Sequence, residues 1–222
     1  QAICDAIYVG AAAPIGVPLF AAGTDQYQYP YDPAAARQLL KEANAEGMSF
    51  KVISSVNPGM PEAPRIMEAL AGYWQQIGLE PRITAMDYNA YGTLRTQAKT
   101  AGELALFKFT SAADMLTKAT MMMTPDGAVP LFQDEESYAI WNEGSAKVTP
   151  EERALYVDKL NQYFYENYGP IPIVNIGSSW AWDSSKISAF AHSTAILPQY
   201  LEYVRHAQPL NTFRLFTPFP GR

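Results

Sequence analysis

The order of apolar and polar positions divides the chain into helix-period and strand-length segments. Ile3 and Ile7 share one helical face within residues 1–8, and Gly10 ends that segment. Residues 11–31, rich in Ala, Pro, Gly and Tyr, read as an irregular loop. Asp32 followed by Pro33 is an N-cap with proline at the first helical position. It opens a helix with Ala36, Leu39, Leu40 and Ala43 as its apolar stripe and Gly47 as its stop. Phe50 to Ser54 has the length and composition of a strand, and residues 57–59 (NPG) form a turn. A helix to Gln76 follows, with Ile66, Leu70, Tyr73, Trp74 and Ile77 on one face. Arg82 to Met86 is a second strand. Asp87 caps a helix over Tyr88 to Lys99 that turns Tyr91, Leu94 and Ala98 inward, and Leu104 to Phe109 is a third strand. Strand, helix, strand, helix, strand in this order predicts βαβ units, so the fold class is α/β: a βαβαβ core with flanking helices.

The third apolar run is the focus of the pattern. It reads as a buried strand that stops at Thr110 and Ser111, with a lone carboxylate, Asp114, shortly after. In open α/β sheets ligands bind outside the C-terminal ends of the strands. Leu104 to Gly127 is therefore the expected ligand-facing stretch. Phe107 is expected in the core and Phe109 in the cleft. Lys108 is placed to meet a carboxylate, or else is a solvated lysine. Asp114 has two readings: an anchor for a cationic or hydroxyl-rich ligand, or the N-cap of a helix over Met115 to Met123. The methionines are expected to fill core space.

Farther on, Asp134 to Glu143 reads as a short helix with Tyr138 and Trp141. Thr149 to Glu152 is a capping box, opening a long helix to Tyr168 with Leu155, Tyr156, Leu160, Tyr163 and Phe164 inward. Ile171 to Asn175 is a short strand whose Pro172 favours an edge. Residues 1–175 are expected to form one body. Residues 176–222, short of periodic features, form a separate portion that is mostly irregular with short strands.

Composition narrows the function. A net charge of −6 with no run of Lys or Arg excludes nucleic acid as a partner. Cys4 is the only cysteine, so no disulfide forms within the chain, and no Cys/His spacing suits a metal; no cofactor is expected. His192 and His206 are far apart in sequence and read as surface or hydrogen-bonded residues. No apolar run is long enough to span a membrane. Gln1 to Tyr8 looks like the middle of an amphipathic helix without an N-cap, which suggests a piece of a longer protein. For a hydrolase, residues 177–179 (GSS) lack the nucleophile-elbow pattern, and no nucleophile, base and orienting acid stand out. A binding protein is favoured over an enzyme; an interaction module such as a chaperone or sensor is the alternative.

Several segments in order resemble a known family: Gln1 to Gly10 (QAICDAIYVG), Tyr29 to Ala43 (YPYDPAAARQLLKEA), Ala71 to Leu79 (AGYWQQIGL), and Thr149 to Arg153 (TPEER) through Gly169 to Ile173 (GPIPI). They are similar to the C-terminal half of extracellular solute-binding proteins of the peptide/nickel type, family 5, which serve ABC importers. The resemblance implies a two-lobe clamshell that closes on a peptide-sized solute and docks on ABC permease subunits in the membrane. It implies that residues 1–175 are the second lobe and that 176–222 return to a first lobe whose N-terminal half lies outside this sequence. It also implies a periplasmic location, or an extracellular one with a membrane-tethered lipoprotein; a monomer is expected. In peptide-binding members the matching strand ends in Gly-Trp, followed by an Asp that holds the peptide ammonium. Here Phe109 stands at the Trp and Ala112 at the Asp, with Asp114 two residues later. The expected ligand-facing residues are Lys108, Phe109, Ser111, Asp114, Asn175 at the returning strand, and Trp180.

Overall fold

The computed structural model describes residues 1–16, 19, 27–109, 112, 114–124, 127–129, 134–176, 183, 185–190 and 204–206. The chain divides into two compact units, Gln1–Gly177 and Ser178–Arg222.

The first unit is built on a parallel three-stranded sheet. β2 (Ser49–Ser54) lies at its centre, between β3 (Glu80–Ala85) and β4 (Glu103–Ala105). The chain enters the sheet through α1 (Ala2–Tyr8), β1 (Ala12–Pro14) and α2 (Pro33–Glu42). α3 (Ala63–Gln76) links β2 to β3, and α4 (Tyr88–Thr96) links β3 to β4. Two of these helices start on a local signal. Asp32 and Asp87 accept hydrogen bonds from backbone N–H groups in the first turns of α2 and α4.

Parallel strands need helices on both faces of the sheet, and neighbouring side chains of β4 and its continuation show them. Leu106 packs on the cluster of Met60, Ala63 and Ile66 at α3. Phe107, one residue on, lies 5.0 Å from the Arg95 guanidinium of α4. Phe50 meets Trp74 edge-on, extending the α3 face.

The third strand is shorter and more open than its composition predicts. Only Glu103 to Ala105 pair with β2, and Leu104 is 44% exposed. Among the described residues β4 is an edge strand of the sheet, so its apolar run lacks a covering strand on one flank. Two helical stripes also depart from expectation. α2 buries no residue and leaves Leu39 exposed, and Ala98 lies past the end of α4 in the left-handed region, φ 52.

A second core lies among three helices: α5 (Met115–Met123), α6 (Glu135–Ser145) and α7 (Pro150–Glu166). Met115, Leu116, Met122 and Met123 fill it against Tyr156, Leu160 and Phe164, so the methionines are core material. The capping box of Thr149 and Glu152 is formed. Leu155, expected inward, is 63% exposed, because it falls one position outside the stripe made by Tyr156, Leu160 and Phe164.

Leu19 is drawn into this core by Asn161 of α7, a fully buried side chain. Asn161 Oδ1 accepts from Leu19 N–H at 3.1 Å and Asn161 Nδ2 donates to Leu19 C=O at 2.8 Å. The tyrosine-rich segment is fixed nearby. Tyr29 stacks on Tyr165 at 4.5 Å and donates to its carbonyl, while Tyr165 donates to Gln28 C=O. These rings therefore spend one face on each other, and their hydroxyls on Tyr165 and Gln28 C=O.

β5 (Val174–Ile176) runs antiparallel to β1, placing Ala13 opposite Asn175. In the second unit, β6 (Ile187–Phe190) pairs antiparallel with β7 (Val204–His206). Asp183 holds the turn before β6, accepting from the backbone and hydroxyl of Ser185. His192 lies outside the described residues.

Candidate functional site

The strand order β3-β2-β4 sends the first crossover to one side of β2 and the second back across to the other. The crevice outside the C-terminal ends of β2 and β4 is thus a topological switch point, the usual ligand position in open α/β sheets.

Polar groups converge there. β2 ends in Ser54, and Ser55 and Asn57 follow; they are 7%, 7% and 3% exposed. Buried polar side chains need partners. Asn57 Nδ2 donates to Ser55 C=O at 3.3 Å, and Ser54 C=O accepts from Met86 N–H. From the β4 side, Lys108 extends its ammonium across the crevice and donates to Gly59 C=O at 3.1 Å. Gly59 has φ 71, which glycine adopts without strain. A Cβ there would also stand 2.7 Å from Lys108 Nζ.

Lys108 and Gly59 thus join the two strand ends. Ser54, Ser55 and Asn57 were not foreseen. Their signal was available: the apolar run of β2 stops at consecutive polar residues, as that of β4 does at Thr110 and Ser111.

Phe107 and Phe109 do not divide between core and cleft. Two residues apart on an extended chain, they share a side, and their rings lie 6.2 Å apart. Phe109 packs on the α5–α7 core, with the Lys118 ammonium 5.8 Å above its ring. Phe107 faces Arg95, whose Nε and Nη1 are buried without a hydrogen-bond partner among the described residues.

Asp114 takes the capping position. Its Oδ1 accepts from Leu116 and Thr117 N–H, and its Oδ2 accepts from the Thr117 hydroxyl and from Arg153. Partial burial opposes ionisation of this carboxyl. The hydrogen bonds from Thr117 and Arg153 outweigh that effect and hold it below the usual aspartate range. A cation arriving from outside would compete with Arg153. An open hollow of about 580 Å³ lies alongside, lined by Asp114, Thr117, Lys118, Thr120, Met121 and Thr124 among others.

A similar tie anchors α6. Asp134 caps it and accepts from the hydroxyls of Ser137 and Tyr163, which keeps Asp134 low against the opposing effect of burial. The same bond pushes Tyr163 up to about 12.

Asn175 lies on the β1–β5 ribbon. Val174 and Ile176 pack on the Met60–Ile66 cluster, so Asn175 between them faces away and is exposed. Ser111 and Trp180 lie outside the described residues. Among the described residues, no group of three or more His, Cys, Asp or Glu could hold a metal ion, and no helix is long and apolar enough to cross a membrane.

Comparison with known proteins places this architecture. Residues 1–129 match the bacterial extracellular solute-binding proteins, family 5 Middle. The glutathione-binding protein GsiB of Salmonella typhimurium (strain LT2) is 41% identical over 91 residues, which take in 39% of this chain and 17% of that protein. Heme-binding protein A of Haemophilus influenzae is 28% identical over 191 residues, covering 79% of this chain and 34% of that protein. In fold, the chain is similar to the dipeptide-binding protein of Pseudoalteromonas sp. SM9913 solved with Met-Leu. The TM-score is 0.69 at 18% identity, covering 79% of this chain and 37% of that one. The matches thus span well under half the length of these relatives. They are binding proteins, not enzymes. The chain belongs to the family 5 bacterial extracellular solute-binding proteins.

Proposed function

We propose that the chain is the second lobe of the capture component of an ABC importer. In this reading residues 1–175 form that lobe and residues 176–222 return to the first. The solute is a small peptide or a compound of similar size, as the glutathione- and dipeptide-binding relatives suggest. It lies against the crevice at the ends of β2 and β4, with Ser54, Ser55, Asn57 and Lys108 as its wall on this lobe. Asp114 serves as the cap of α5. The loaded protein works outside the cytoplasm, as a monomer, and hands its solute to permease subunits in the membrane.

The observation that supports this reading most is the placement of three buried polar residues and one ammonium at a topological switch point. Isothermal titration of the full-length protein against pools of di- and tripeptides, glutathione, opines and oligosaccharides tests it. Saturable binding of one pool is expected. No heat with any pool, together with tight capture of a protein partner, would instead identify an interaction module.

A further inference from the structure

We propose that the captured solute carries a carboxylate and that Lys108 is the residue that receives it; this rests on the solute lying in the β2–β4 crevice. A lysine ammonium has three N–H donors. Lys108 spends one on the neutral carbonyl of Gly59. Four ion pairs form among the described residues: Lys51 with Glu103, Lys147 with Glu143, Arg153 with Asp114, and Lys186 with Asp183. Lys108 joins none of them, although it is half-buried. A half-buried ammonium with only a neutral acceptor is electrostatically incomplete, and a carboxylate is the acceptor that completes it best.

The ammonium is also held in place. Gly59 presents its carbonyl from a left-handed turn, and the missing Cβ leaves the space the ammonium occupies. This distinguishes Lys108 from a lysine extended freely into solvent. Its surroundings suit an anion. Ser54, Ser55 and Asn57 at the end of β2 are neutral. The nearest acids along the chain, Glu103 and Asp114, are paired with Lys51 and Arg153. A solute that presents an ammonium at this point would meet Lys108 as a like charge.

The test uses the full-length protein and a pool of di- and tripeptides in two forms, with free and with amidated C-termini. Amidated peptides with acidic side chains separate a side-chain carboxylate from a terminal one. The carboxylate-bearing form is expected to bind about tenfold tighter or more, as for loss of a charge-assisted pair. Lys108→Gln keeps a neutral donor for Gly59 C=O and should remain folded. It is expected to lower the affinity for the carboxylate form to that of the amide, and Lys108→Arg to restore part of it. Equal affinity for both forms with Lys108→Gln indifferent would overturn the carboxylate assignment and leave solute capture standing. A wild type that takes up none of these probes, nor opines nor oligosaccharides, would overturn both.

Discussion

Arg153 grips Asp114 with two nitrogens at once: Nε and Nη2 lie 2.9 and 2.6 Å from the same carboxylate oxygen, Oδ2. The third nitrogen, Nη1, donates to Ser145 and Lys147 C=O at 3.1 Å each, at the end of α6. One guanidinium thus ties the start of α5 and the end of α6 to the first turn of α7. Arg153→Ala leaves partly buried acceptors unmatched and is expected to cost roughly 1–2 kcal/mol of stability. Arg153→Lys should recover only part, since an ammonium cannot reproduce the fork. Urea unfolding of the chain measures both.

Asp114→Ala separates the two roles that the sequence left open. As a cap and ion-pair partner, Asp114 should contribute about 1–2 kcal/mol of stability. Solute affinity of the full-length protein should change little. A large loss of affinity at unchanged stability would make Asp114 a ligand contact instead.

The same carboxyl sets a pH dependence. Asp114 and Asp134 are both held below their ordinary value in the folded chain. Their stabilisation is therefore fully present above the unfolded aspartate value of about 3.9 and is lost as pH falls through the lower folded values. Asp114→Asn should be less stable than wild type near neutrality. The gap should narrow once the medium is more acid than the folded value. Denaturant midpoints collected over acid pH would show this convergence. A constant gap would mean that the stabilisation does not depend on charge.

Two packing predictions concern α7. Asn161 pairs with both backbone groups of Leu19, and Asn161→Ala removes both bonds inside a closed core. A loss of about 2–4 kcal/mol is expected, with Asn161→Asp at least as damaging because a buried charge is introduced. Gly144 lets α6 approach Tyr156: a Cβ would stand 2.5 Å from the Tyr156 Cβ. Gly144→Ala gains helix propensity, yet overpacking should dominate and lower the melting temperature, at roughly 1–3 kcal/mol.

Legibility followed the range of each interaction. Helix starts are local, so Asp32, Asp87 and Thr149 revealed α2, α4 and α7 directly, and the βαβαβ order followed. The position of β4 at the sheet edge depends on strand order, which no local pattern encodes, and Leu104 to Phe109 therefore read as buried. Leu19 and Asn161 meet across 142 residues, with nothing in either neighbourhood to announce the pair. At the crevice, Lys108 was legible as a polar residue ending a strand. Ser54, Ser55 and Asn57 became candidates only when β2 and β4 were seen side by side. Asp114 was legible as a cap, while its Arg153 partner, on another helix, was not.

A lobe that presents half a binding wall should bind weakly alone, because solute burial needs both sides. Residues 1–222 in isolation are expected to bind any solute of the full-length protein at least about a hundredfold more weakly, the affinity step that corresponds to roughly 2.7 kcal/mol. Equal affinity of the two would show that this chain holds the whole site.

The most direct measurement is a crystal structure of the full-length protein with its solute bound. Solute atoms should lie within contact distance of Ser54, Ser55 or Asn57, with an acidic oxygen on Lys108 Nζ. Solute seated wholly in the hollow beside α5, or elsewhere with the β2–β4 crevice untouched, would contradict the assignment of the site.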